Sequence, residues 1–149
     1  MVAQRLSMTT VDFYKINDSD PASLSFCALR LACKSWRAGH PTYVHCSSEE
    51  QANALLTQLN TLSDHSLIPG YIGSHQPQSN GIAFGYDESH APIATADIMI
   101  QLSTEISKCF SRFARLLEIT NTDEQHASAK REAWKFYKSR GYPLRYHEI

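Results

Sequence analysis

Short β-rich runs alternate along this chain with longer, helically spaced segments that carry their own start and stop signals. Val11-Asp12-Phe13-Tyr14-Lys15-Ile16 reads as a first strand, and Asp18-Ser19-Asp20 as the turn after it. Asp20 can cap a helix whose first position is Pro21, where the missing N–H costs nothing. Phe26, Leu29, Cys33 and Trp36 recur at helical spacing until Gly39-His40-Pro41 stops the run. A strand over Thr42 to Cys46 follows, then the capping-box pattern Ser48-Glu49-Glu50-Gln51 opening a helix with Ala52, Leu55, Leu56 and Leu59. Residues 60–81 read as loop, with one short strand around Leu67-Ile68. Ile82 to Tyr86 and Ile98 to Leu102 are strands, Glu105 to Phe113 a short helix, and Leu116 to Ile119 another strand. Thr122-Asp123-Glu124-Gln125 starts a last helix that ends at Gly141, and Pro143 releases an extended tail. This order predicts an α/β fold of three layers, α/β/α, with helices on both faces of a mostly parallel sheet.

At 149 residues the chain suits one domain, expected over residues 11–149 behind a flexible N-terminus of residues 1–10. No apolar run approaches the roughly 20 residues of a membrane span, and the N-terminus lacks a signal-peptide core, so a soluble cytoplasmic protein is expected. Cys27, Cys33, Cys46 and Cys109 form no C-x-x-C pair and read as reduced core thiols. The net charge of −1 gives no general affinity for DNA or acidic membrane. Its distribution is uneven. Residues 130–145 hold six of the fourteen Lys and Arg, against Glu132 alone, whereas no Lys or Arg lies between Arg37 and Lys108.

An α/β chain invites a nucleotide-binding reading, which needs a glycine-rich first strand-to-helix turn. Here that turn is Asn17-Asp18-Ser19-Asp20-Pro21, without glycine and with two carboxylates where a phosphate would sit. A pair of like charges 6 Å apart repels by about 3 kcal/mol at an effective dielectric of 20. His40, His45, His65, His75, His90, His126 and His147 fall in no metal-ligand spacing, and no G-x-S-x-G turn is present. Neither metal, nor cofactor, nor catalytic motif is expected. A nucleotide-dependent enzyme on this scaffold stays as an alternative motivated by fold class alone.

The last helix is the informative element. Arg131, Trp134, Lys135 and Lys138 lie at i, i+3, i+4 and i+7 and share one face, while Ala133 and Phe136 point elsewhere, toward the core. A tryptophan among three cations suits an acidic peptide that brings one apolar side chain or a terminal carboxylate. A solvated basic stripe with Trp134 half-buried fits the spacing equally well. Direct single-stranded DNA binding is a third reading, weakened by the single aromatic on that face.

Taken together, Val11-Asp12-Phe13-Tyr14, Ser35-Trp36-Arg37-Ala38-Gly39, Glu50-Gln51-Ala52, Asp97 to Leu102, Ser111 to Ile119 and Arg131 to Leu144 resemble the chi subunit of DNA polymerase III, over residues 11 to 148. The resemblance implies a Rossmann-like α/β/α sandwich without nucleotide binding and a non-catalytic replisome adaptor. Such adaptors join the psi subunit, and through it the clamp loader, to the acidic C-terminal tail of single-stranded DNA-binding protein, which ends in proline and phenylalanine. The residues matching Arg131, Trp134 and Lys135 carry the tail contact in the family, which usually has tyrosine at the position of Trp134. Lys138 joins them on helical spacing only. Where relatives use aromatic residues toward psi, this chain has Asn60, Leu67 and Gly70, leaving Leu67-Ile68-Pro69 as the apolar candidate for that interface. The resemblance also allows a helicase-like repair partner on an overlapping surface.

Overall fold

The computed structural model describes residues 8–62, 68–73, 81–92 and 97–149. In chain order these form β1 (Thr10–Lys15), α1 (Pro21–Arg37), β2 (Thr42–His45), α2 (Glu49–Leu62), β3 (Gly70–Ile72), β4 (Ile82–Gly85), β5 (Ile98–Gln101), β6 (Arg115–Thr120), α3 (Glu124–Ser139) and β7 (Leu144–Glu148). Among the described residues the strands make one sheet of order β3-β4-β2-β5-β6-β1-β7, parallel at every pairing. Parallel neighbours need crossovers, and helices supply several of them, so both faces are covered. Helices α1 and α2 pack on Val44, Ile100, Leu117 and Ile119. Helix α3 packs on Phe13, Tyr43, Met99 and Leu116. The three-layer α/β/α architecture is therefore the observed one. No helix among the described residues is long and apolar enough to cross a membrane.

Local chemistry sets the helix ends. The Asp20 side chain accepts from Ala22 N at 3.0 Å with Pro21 in the first turn. Ser48 Oγ accepts from Gln51 N, and Gln51 Oε1 reaches back to Ser47 N at 2.7 Å, a capping box shifted by one residue. Helix α1 is rotated from its expected setting. Leu24, Ala28, Leu29 and Ala32 face the sheet, and Phe26 is 52% exposed with the Arg30 guanidinium 5.7 Å from its ring centre. Ala28 and Ala32 are small enough to let the helix lie close to the strands.

Three further segments differ from the sequence expectation. The stretch from Glu105 to Phe113 holds only a 3₁₀ turn at Phe110–Arg112. The N–H of Lys108, which a helix over this stretch would turn to the carbonyl of Thr104, donates instead to Glu88 Oε2 at 3.2 Å, and before it Ser103 Oγ accepts from Glu105 N in a tight turn. The third strand begins at Gly70, not at Leu67-Ile68. Leu67 lies outside the described residues, and Ile68 is buried just before the strand. A Cβ at Gly70 would sit 2.7 Å from Leu59 Cδ2 and 2.8 Å from Leu56 Cδ1, so this glycine marks where β3 touches α2 and is no turn. The extended tail is a full strand, β7, parallel to β1, with Ile149 N donating to Lys15 O at 2.9 Å. Of the N-terminus expected to be flexible, residues 1–7 lie outside the described set. Thr9 is buried, donating to Phe113 O at 2.6 Å, and Thr10 already belongs to β1.

Strand β7 is held on the α1 face of the sheet by Asp12 of β1, whose side chain is fully buried. Its Oδ1 accepts from Arg145 Nε at 2.8 Å and lies 3.0 Å from His147 Nε2. Its Oδ2 accepts from Arg115 Nη2 at 2.9 Å and Arg145 Nη2 at 3.1 Å. Burial alone would raise the Asp12 pKa, but the hydrogen bonds from Arg145, His147 and Arg115 outweigh it and hold the carboxyl below its ordinary value of 3.8. Because the folded pKa is the depressed one, this contribution is complete above the ordinary value and is lost as pH falls through the folded value. Asp12→Asn is expected to cost about 1.5–3 kcal/mol at pH 7. Its stability should also fall less steeply than that of the wild type as pH drops below 4. Urea unfolding across pH 7 to 3 measures both, and parallel pH profiles for the two proteins would refute the assignment.

Candidate functional site

Helix α3 is positioned by one buried polar cluster within an otherwise apolar contact. Asp123 caps it, accepting from His126 N at 3.1 Å, and Gly141 ends it with a φ of 81°. On its inward face lie Lys130, Ala133 and Tyr137, all buried. Lys130 Nζ donates to Glu118 Oε1 and to Ser103 O at 2.8 Å, with Gln101 O at 3.4 Å. The Tyr137 hydroxyl donates to Glu118 Oε2. Burial, and then the adjacent Glu118 carboxylate, push the Tyr137 pKa far up, so the phenol stays a donor. Glu118 also belongs to a cross-strand row on the α3 face, from His45 through Gln101 and Glu118 to Phe13 and Tyr146. The row is polar in the middle of the sheet and aromatic at the β1–β7 edge.

At that edge a cavity of about 520 Å³ opens between α3 and the strands. Phe13 is its buried floor. Trp134 meets Phe13 edge-on, ring centres 5.1 Å apart, and Tyr146 meets Trp134 edge-on at 6.5 Å. Lys15, Lys130, Arg131 and Lys135 bring cations to the lining, Thr120, Asn121 and Ala127 complete it, and no carboxylate takes part. Arg131 pairs with Glu124 at 3.0 Å and Lys135 with Glu132 at 3.3 Å, both on open surface. Exposed pairs of this kind are worth about 0–1 kcal/mol, so an incoming anion displaces them at little cost.

The structure thus brings together three of the four residues predicted on α3. Arg131, Trp134 and Lys135 line one cavity, whereas Lys138 is exposed one turn further on and outside the lining. Sequence reasoning missed Phe13, Lys15 and Tyr146. They come from strands at opposite ends of the chain, and only the β1–β7 pairing puts them beside α3. Of the Leu67-Ile68-Pro69 candidate, Leu67 lies outside the described residues, Ile68 is buried in the core with α2, and Pro69 is exposed. In the first strand-to-helix turn the carboxylates of Asp18 and Asp20 bind the turn itself, through Asp20 N, Ser23 Oγ and Ala22 N. Among the described residues no cluster of His, Cys, Asp and Glu could hold a metal ion.

Comparison with known proteins places the chain in a family and matches its fold. The sequence model of the family DNA polymerase III chi subunit, HolC, matches residues 8–145. DNA polymerase III subunit chi of Pseudomonas aeruginosa is 32% identical over 142 residues, which are 95% of this chain and 98% of that protein. A solved structure of Mss116p DEAD-box helicase domain 2 bound to an RNA duplex superposes with a TM-score of 0.65 at 12% identity, over 93% of this chain and 64% of that one. At that identity the likeness is one of fold, and this chain spans less than two thirds of that structure's length.

Lys130→Met should be strongly destabilising, by about 3–5 kcal/mol, because it strands the buried Glu118 carboxylate. Adding Glu118→Gln removes the stranded charge and is expected to restore at least half of the loss. Chemical denaturation of the two variants decides it, and additive losses would overturn the pairing.

Proposed function

The chain belongs to the DNA polymerase III chi subunit family, and on that premise we propose that it is a non-catalytic replisome adaptor that captures the acidic C-terminal tail of single-stranded DNA-binding protein in the α3 cavity. The carrying observation is a cavity with an aromatic floor, four cations and no acid in its lining. The tail's terminal phenylalanine fits against Phe13, Trp134 and Tyr146. Its free carboxylate takes the planar fork of Arg131, and its acidic residues take the place of Glu124 and Glu132 beside Arg131 and Lys135. Direct stacking of single-stranded DNA is less well served. The Trp134 and Tyr146 planes stand at 85° to each other, whereas successive stacked bases need parallel platforms.

The link to the clamp loader through psi is the second half of the proposal. On the surface near β3, Pro69 is the described residue of the apolar candidate able to meet a partner, since Ile68 is committed to the core. The tail-binding half stands independently of it.

Titration of a fluorescently labelled acidic peptide ending in Pro-Phe tests the tail site. Arg131→Ala should weaken binding by about 1.5–3 kcal/mol, roughly ten- to hundredfold. Lys138→Ala should change it by no more than about twofold, as expected of a screened charge outside the cavity. Equal affinities for wild type and Arg131→Ala would refute the site, and equal affinities for free-acid and amidated peptides would refute the carboxylate mechanism.

A further inference from the structure

We infer that Lys15, at the end of β1, is the second prong of a carboxylate clamp whose first prong is Arg131, so that selectivity for a free C-terminus is set jointly by sheet and helix. The inference rests on the proposed tail-binding reading. It deepens that reading by assigning to carboxylate recognition a strand residue that the α3 face pattern does not contain.

Lys15 lies two residues beyond Phe13 on β1 and therefore on the same side of the sheet. It lines the same cavity as Arg131. Helix α3 starts close to where β6 ends and runs back against the strands, and Trp134 contacts Phe13. Moving from Phe13 to Lys15 advances about 6.6 Å along the strand. The same distance back along α3, at about 1.5 Å per residue, is between four and five residues and reaches residues 129 and 130, next to Arg131. Lys15 therefore stands near the level of Lys130 and Arg131, whose cavity it shares, while the aromatic floor lies level with Trp134. A bound residue with its ring on that floor has its backbone carboxylate near the level of Lys15 and Arg131.

The remaining cations of the lining are already engaged. Lys130 is buried in its pairing with Glu118 and two carbonyls, Arg131 has only the exposed Glu124, and Lys135 only Glu132. Lys15 has no carboxylate within ion-pair distance among the described residues. Glu148, opposite it in the β1–β7 ladder, instead accepts from the Tyr146 hydroxyl at 3.2 Å. A partly exposed lysine with no ion-pair partner among the described residues, lining an aromatic cavity without acids, is placed to receive an anion from outside.

The test compares Lys15→Met and Lys15→Arg with wild type, using the same acidic Pro-Phe peptide as free acid and as C-terminal amide, with tryptophan fluorescence and thermal unfolding to verify the fold. Wild type should prefer the free acid. Lys15→Met should weaken the free acid about tenfold and the amide by less than threefold, narrowing the preference, and Lys15→Arg should restore it. An unchanged acid-to-amide ratio in a folded Lys15→Met protein overturns the clamp while leaving the tail site standing. Loss of acid and amide binding in equal measure also overturns it, because Lys15 would then serve the peptide's acidic side chains. Failure of wild type to bind either peptide refutes the tail-binding reading and this inference together.

Discussion

The ion pair between Lys130 and Glu118 determines how α3 sits on the sheet, and the functional face depends on that setting. The rest of the contact is apolar and aromatic: Ala133 and Tyr137 against Phe13, Phe110 and Leu116. Such contacts are strong but weakly directional. A lysine whose ammonium must meet one carboxylate and two carbonyl oxygens leaves α3 little freedom to slide or rotate. Burying both charges costs several kcal/mol before their attraction is counted, so specificity of position is a better account of the pair than net stability. With Lys130 turned inward, helical geometry carries Arg131 and Lys135 to the outer side of the cavity and leaves Trp134 at the boundary between ring and solvent.

Strand β1 serves both faces of the same edge. Phe13 and Lys15 look toward α3 and build the cavity, while Asp12 looks the other way and gathers Arg115, Arg145 and His147. The alternation of a strand makes these roles compatible at adjacent positions. Asp12 fastens β7, and β7 brings Tyr146 to the cavity, so the clamp on one face supports a wall of the site on the other. The same side chains dress an exposed edge strand with charge. Arg145 and Glu148 line β7, a pattern that discourages pairing with a further strand.

Much of this was readable in the sequence because local signals agree with one another. The cap at Asp20 and the Gly141 terminus stand where residue chemistry puts them, and the last helix starts within the Thr122–Gln125 signal, with Asp123 as the cap one residue after Thr122. In the first strand-to-helix turn, Asp18 and Asp20 spend their carboxylates on the turn itself. The failures share a cause, which is that tertiary packing overrode a local cue. Gly70 falls in a stretch that reads as loop, until Leu56 and Leu59 are seen to need its missing side chain. Ile106, Phe110 and Phe113 have helical spacing, yet Lys108 N donates to Glu88 Oε2, twenty residues earlier in the chain, in place of a helical carbonyl. Arg131, Trp134 and Lys135 were visible because helical periodicity groups residues close in sequence. Phe13, Lys15 and Tyr146 were not, because their grouping exists only once β1 and β7 pair.

The balance of charge at the cavity follows from the same placement. Each exposed cation that α3 brings to the cavity is lightly occupied by an acid of its own helix, Arg131 by Glu124 and Lys135 by Glu132, with all four side chains more than half exposed. Those acids keep the basic stripe from acting as a general polyanion trap, and they hold the long side chains near the rim. Because such pairs are screened and weak, a ligand that brings both a carboxylate and an aromatic ring can displace them, using apolar burial that a nucleic-acid backbone lacks. Burying an aromatic side chain in such a cavity is worth about 1.5–3 kcal/mol, more than either surface pair. In the proposed function, discrimination therefore rests on the aromatic floor, and the cations then select among apolar ends for one that carries a free carboxylate.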